Sequence, residues 1–195
     1  LIYSAATGSG PLRQAIADVH GVGLDEVQVV TGASEALLIL FLIAAEPGAN
    51  VLLPFPGYPP TAVDAQLLGL ETRCYHLRRE NDLPVDLDEI KKLTDARTKL
   101  LLVNSPHNPT GATVSNAQMR ELHDFAVDRG IPFVSDEVYH PIYHEDETSS
   151  AAVLPHAIVV GSFCKALSLS GLRTGWIIDR DRARRVGVEA EATAV

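Results

Sequence analysis

Seven short apolar runs, separated by stretches of helical period, restrict what this chain can fold into. They fall at residues 27–30, 51–53, 72–77, 100–103, 132–134, 157–160 and 175–178. Several are apolar on successive residues, without the period-two alternation of a strand that is wet on one face; strands covered on both faces look like this. Residues 11–20 follow Gly10 and put Pro11 at a first helical position, with Leu12, Ile16 and Val19 along one side. Residues 86–93 place acids early and lysines late, in keeping with the helix dipole. Residues 115–128 open on Ser115 as an N-cap and gather Met119, Leu122, Phe125 and Ala126 on one side. Such alternation predicts one α/β domain, a mainly parallel sheet with helices on both faces in three layers, α/β/α.

Composition supports a packed core: 46% of the 195 residues are hydrophobic and 21% charged. The formal charge of −9 argues against a general nucleic-acid binder, which needs a basic patch. The longest apolar run, residues 36–45, is far short of the roughly 20 residues a bilayer demands, so no membrane span is expected. Glu35 and Glu46 bracket it, which predicts a helix buried on most sides. Two cysteines, Cys74 and Cys164, make no disulfide framework and fit a reducing, cytoplasmic setting. No repeat or low-complexity tract interrupts the chain. It begins at Leu1 with no initiator Met or visible signal peptide, and stops after a charged, helix-like stretch. An excerpt of a longer protein is therefore the expectation.

In parallel α/β sheets, ligands sit beyond the carboxyl ends of the strands. Chemically capable residues follow five of the predicted strands. After residue 30 comes Thr31-Gly32-Ala33-Ser34, opening the apolar helix; its backbone N–H groups could cradle a phosphate, although an N-capping turn looks the same. After residue 53, four prolines in seven residues hold Tyr58 on a rigid loop, where it could stack on a planar ligand. After residue 103 comes a dense turn in which Pro109 restrains Asn108 toward an extended backbone; His107 beside it reads as a structural histidine rather than a general base. After residue 134 come Asp136, Glu137 and Tyr139. Two adjacent buried carboxylates would repel, so Asp136 is expected to face a cation and Glu137 to have its own hydrogen bonds. After residue 160 come Ser162, Cys164, Lys165 and Arg173. Phe163, Ala166 and Leu167 predict an apolar surround for Lys165, which would lower its pKa and make it a usable amine nucleophile.

This inventory meets the needs of pyridoxal 5′-phosphate. Its aldehyde needs an amine, its ring nitrogen an anion, its phenolic oxygen donors, and its phosphate backbone amides, a hydroxyl and an arginine. Three segments in this order carry a resemblance: Asn108-Pro109-Thr110-Gly111, then Ser135-Asp136-Glu137-Val138-Tyr139, then residues 162–176 with Lys165 and Arg173. The sequence resembles the class I/II aminotransferases, fold-type-I pyridoxal-phosphate enzymes, over residues 3 to about 179.

The resemblance implies that Lys165 forms the internal aldimine and later shuttles the proton of the substrate α-carbon. Asp136 would pair with the ring nitrogen, Asn108 and Tyr139 would donate to the phenolic oxygen, and Tyr58 would stack on the ring. The amides of Ala33 and Ser34, the Ser162 hydroxyl and Arg173 would hold the phosphate. Tyr3 would reach the phosphate of the partner subunit, making a homodimer with shared sites. Cys164 stands where family members more often carry a small residue or serine, and reads as a small buried hydrophobe. The implied substrates are an amino acid and a 2-oxo acid; C–S lyase chemistry, another amino-acid modification or an inactive cofactor-domain fragment stay open. Residues 1–195 would then be the cofactor-binding large domain without an N-terminal arm or the small domain that carries a carboxylate-gripping arginine. Arg180, Arg182, Arg184 and Arg185 read as a solvated face rather than that grip.

Overall fold

A computed structural model of the chain describes residues 5–77, 85–143 and 147–181, together with 184, 185, 187, 188, 190 and 192. The elements follow the predicted alternation. In chain order they are α1 (Gly10–His20), β1 (Val27–Val30), α2 (Ala33–Ala44), β2 (Asn50–Phe55), α3 (Pro59–Leu67), β3 (Glu71–His76), α4 (Leu87–Leu93), β4 (Thr98–Asn104), α5 (Asn116–Val127), β5 (Phe133–Asp136), β6 (Ile158–Ser162) and β7 (Gly175–Ile178). The strands form one sheet in the order β1-β7-β6-β5-β4-β2-β3. Strands β2 to β6 run parallel, and β7 lies antiparallel between β1 and β6.

Burial on both faces explains the unbroken apolar runs. Along β4, Leu101 and Val103 point into a core shared with α1, α4 and α5, while Leu100 and Leu102 point into a second core shared with α2 and α3. The sheet is thus the middle of three layers, as expected. Helix α2 buries Ala36, Leu37, Ile39, Leu40 and Phe41, matching the helix predicted to be covered on most sides. Helix α4 starts at Asp86, whose carboxylate accepts from the N–H groups of Asp88 (2.9 Å) and Glu89 (3.3 Å). Helix α5 starts at Ser115, whose hydroxyl oxygen accepts from Gln118 N (3.2 Å).

Two expectations about helices are corrected. Val19 was assigned to the apolar face of α1 but is 83% exposed; Ile16 and Ala17 are the α1 residues the core takes up. The terminal arginines are not a solvated face. Arg184 donates to the buried Asp179 carboxylate through two bonds of 2.6 and 2.8 Å, Arg185 donates to the Asp179 carbonyl (2.9 Å), and Arg180 pairs with Glu26 at 3.4 Å. Two of these arginines turn back onto Asp179, five and six residues earlier, and Arg180 reaches Glu26 at the far end of the chain. Arg182 lies outside the described residues. Among the described residues no helix is long and apolar enough to cross a membrane.

Candidate active site

Because β2 to β6 run in one direction, the segments after them collect at one edge of the sheet, together with the turn from β1 into α2 and the start of β7. There they line a cavity of about 260 Å³. Ala33, Ser34, Tyr58, Asn108, Asp136, Tyr139, Ser162, Lys165 and Arg173 all border it. These nine residues, named from sequence, come from six separate segments. Tyr3 lies outside the described residues.

One part of the cavity favours an anion. Helix α2 begins after Gly32, which holds φ 84°, with no side chain capping it. The N–H groups of Ala33 and Ser34 belong to the first turn, where no intrahelical carbonyl can bond them. The Glu35 carboxylate folds back to accept from Thr31 N. Arg173 sits over the same turn: a Cβ on Gly32 would lie 3.0 Å from its Nη2. Its backbone is left-handed, φ 47°, immediately before β7. Gly175 permits the close approach, since a Cβ there would come within 2.6 Å of the Gly32 carbonyl carbon. The guanidinium reaches only a carbonyl, that of Ser170 at 3.5 Å, and pairs with no carboxylate among the described residues. A positive helix terminus and an arginine therefore converge on one spot.

Asp136 presents the opposite demand. It ends β5 and is 8% exposed. Burial pushes its carboxyl up to about 7; the Val138 N–H, 3.2 Å from Oδ1, acts against that shift, and the neighbouring Glu137 charge adds to it. Among the described residues no cation pairs with it, so none of them is the expected cationic partner. Glu137 has the hydrogen bonds expected of it. Its Oε1 accepts from Ser135 Oγ (3.0 Å) and Ala151 N (2.6 Å), and burial raises its pKa as well.

Lys165 lines the cavity, with Nζ 5.7 Å from the centroid of the Tyr139 ring. It is exposed, and so are Leu167 (57%) and Leu169 (43%). The expected apolar enclosure is therefore incomplete: Phe163 turns to the core and packs on Trp176, and Leu167 is exposed. Cys164 is half-buried and borders the cavity too.

Asn104 was overlooked as a site residue. At the end of β4 it uses both halves of its amide: Nδ2 donates to the Asp136 carbonyl (3.0 Å), and Oδ1 accepts from Asn108 N (2.8 Å). It thus joins two predicted site residues to each other. Its only sequence signal was a polar residue closing an apolar strand. Ser170 and Thr174 also border the cavity. His107 is buried and does not line it, which agrees with a structural reading.

This fold is that of a known class. The chain belongs to the aminotransferase class I and II family, whose profile matches residues 1–188. The cofactor of this family is pyridoxal 5′-phosphate. An aspartate aminotransferase of Pyrococcus abyssi is 33% identical over 91% of this chain and 50% of its own length. A cystine lyase of Arabidopsis thaliana is 32% identical over 92% of the chain and 45% of its own. A solved structure of Thermus thermophilus aspartate aminotransferase superposes with a TM-score of 0.92 at 28% identity, covering 99% of this chain and 52% of that one. The chain thus spans about half the length of the relatives it matches.

Proposed function

We propose that residues 1–195 are the cofactor-binding large domain of a pyridoxal-phosphate-dependent aminotransferase that moves an amino group between an amino acid and a 2-oxo acid. One observation carries this reading. A buried carboxylate, Asp136, shares a cavity with an uncapped helix N-terminus under Arg173, and among the described residues neither Asp136 nor Arg173 has a partner of opposite charge. A ligand with a basic ring nitrogen and a phosphate answers both demands, and the cofactor of the family has both.

When bound, the cofactor supplies a protonated pyridine ring conjugated to a reactive aldehyde. Asp136 keeps the proton on the ring nitrogen, which in turn stabilises the carboxylate that burial disfavours. The Ala33 and Ser34 amides, the Ser162 hydroxyl and Arg173 hold the phosphate. Asn108 and Tyr139 donate to the phenolic oxygen, and Tyr58 stacks on the ring. Lys165 Nζ would be the amine offered to the aldehyde and the group that holds or moves the proton of the substrate α-carbon. Tyr3 is assigned to the phosphate of the partner subunit, in a homodimer with shared sites. The two free cysteines support a cytoplasmic location.

The similarity to a cystine lyase favours C–S cleavage as the second reading. Supplying one amino acid and no 2-oxo acid separates the two. Transamination yields one equivalent of 2-oxo acid per site and stops, whereas a lyase turns over repeatedly and releases ammonia and thiol. Absence of both reactions in the full-length protein would remove the catalytic reading.

A further inference from the structure

Asn104 closes β4 directly opposite Asp136, which closes β5, and both are 8% exposed. The Asp136 carbonyl takes two donors across this pair of strand ends, Asn104 Nδ2 at 3.0 Å and Ser105 N at 3.1 Å. Asn104 Oδ1 reaches forward four residues to accept from Asn108 N at 2.8 Å. Only one orientation of the amide serves both neighbours: turned over, it would set oxygen against the carbonyl and nitrogen against the N–H. The turn beyond it is closed by other bonds: His107 N to the Ala112 carbonyl (2.9 Å), Gly111 N to the His107 carbonyl (2.8 Å) and Val114 N to Ser105 Oγ (3.0 Å). None of these involves Asn108, whose N–H goes to Asn104.

We infer that Asn104 is a positioning residue: its buried amide, bonded to Asn108 N and to the Asp136 carbonyl, fixes the spacing between two side chains that border the cavity. The inference deepens the cofactor reading and rests on it for its consequence. In that reading Asp136 holds the ring nitrogen and Asn108 donates to the phenolic oxygen. One rigid aromatic ring keeps those two atoms at a fixed separation. Residues on two segments grip both only if their own separation is held to about 0.5 Å. A buried side chain with both halves of its amide engaged meets that demand, because it has no free rotamer to relax into.

The test uses the full-length protein and two substitutions. Asn104→Ala removes both bonds, whereas Asn104→Asp keeps an acceptor for Asn108 N and loses the donor to the Asp136 carbonyl. Amide hydrogen exchange on the cofactor-free protein reads the tie itself. Exchange at Asn108 should quicken about tenfold in the Ala variant and stay near wild type in the Asp variant. Equal exchange at Asn108 in wild type and the Ala variant would overturn the inference. Pyridoxal-phosphate titration reads the consequence, in wild type and in an Asn108→Ala background, which keeps the N–H but lacks the side chain being positioned. Asn104→Ala should weaken binding about tenfold in the first and about twofold or less in the second, since a spacing matters only while both residues grip. Where the Ala variant does not fold, Asn104→Asp takes its place in this cycle with the same contrast expected, because it cuts the other end of the tie. Equal losses in the two backgrounds mark a merely structural role and overturn the positioning role alone. If wild type itself binds no pyridoxal phosphate, the cofactor reading fails and the positioning role fails with it.

Discussion

Burial holds the Asp136 carboxyl near 7, far above the 3.8 of an unfolded chain, so the cofactor-free protein is strained when that group ionises. Its contribution is fully favourable below about pH 4 and is lost as pH rises through 7. His20 and His107 work in the opposite sense. Burial lowers both from 6.5 to about 4, so their contribution is complete above 6.5 and is lost as pH falls toward 4. Replacing Asp136 with Asn should therefore stabilise the cofactor-free protein at pH 8, by on the order of 1–3 kcal/mol, and leave it little changed at pH 4. Urea unfolding at the two pH values checks this. The same variant should lose catalysis far more than cofactor retention, since the phosphate contacts remain; equal losses would contradict the assigned role. Gly175 offers a second residue-scale test. A methyl group there meets the backbone of Gly32 and Ala33, so Gly175→Ala should push β7 from the start of α2. A loss of roughly 1–3 kcal/mol in unfolding free energy is expected, with weaker retention of pyridoxal phosphate than of pyridoxal.

At the scale of elements, what could be read from the sequence was what local chemistry specifies. The caps Asp86 and Ser115 sit where their side chains bond the first turns of α4 and α5, and the apolar runs are strands buried on both faces. Helix α3 was hidden because Pro59 and Pro60 read as loop punctuation, although proline is at home in a first helical turn. Site residues next to a strand end were legible from motif order. Asn104 was not, because its role lies in two hydrogen bonds to segments that only the fold brings near. Lys165 borders the cavity but is exposed and not enclosed by apolar side chains, since neighbours in sequence need not be neighbours in space. The Asp179 clasp is a local one, closed within six residues. With its side chain 1% exposed and bonded twice to Arg184, Asp179 fixes the chain as it leaves β7. Asp179→Ala should cost about 1–3 kcal/mol by removing both bonds to Arg184, whose remaining acid partner is Asp181 at 3.6 Å, whereas changing Asp179 and Arg184 together to apolar residues of similar volume should cost less. Chemical unfolding of the single and double variants measures the difference.

Taken as a whole molecule, the sheet brings six separate segments to one cavity where, among the described residues, Asp136 and Arg173 have no partner of opposite charge. If Tyr3 serves the partner subunit, two defective chains can repair each other. Mixing full-length Tyr3→Phe and Lys165→Ala proteins should give more activity than either alone, because one site of each mixed dimer keeps both native residues; no gain after subunit exchange would contradict shared sites. The most direct test of the central claim is where the cofactor attaches. Pyridoxal phosphate should be fixed to the protein by borohydride, and peptide mass mapping should find the added pyridoxyl group on Lys165 alone, with none in Lys165→Ala. Attachment spread over surface lysines, or unchanged by that substitution, would contradict the account.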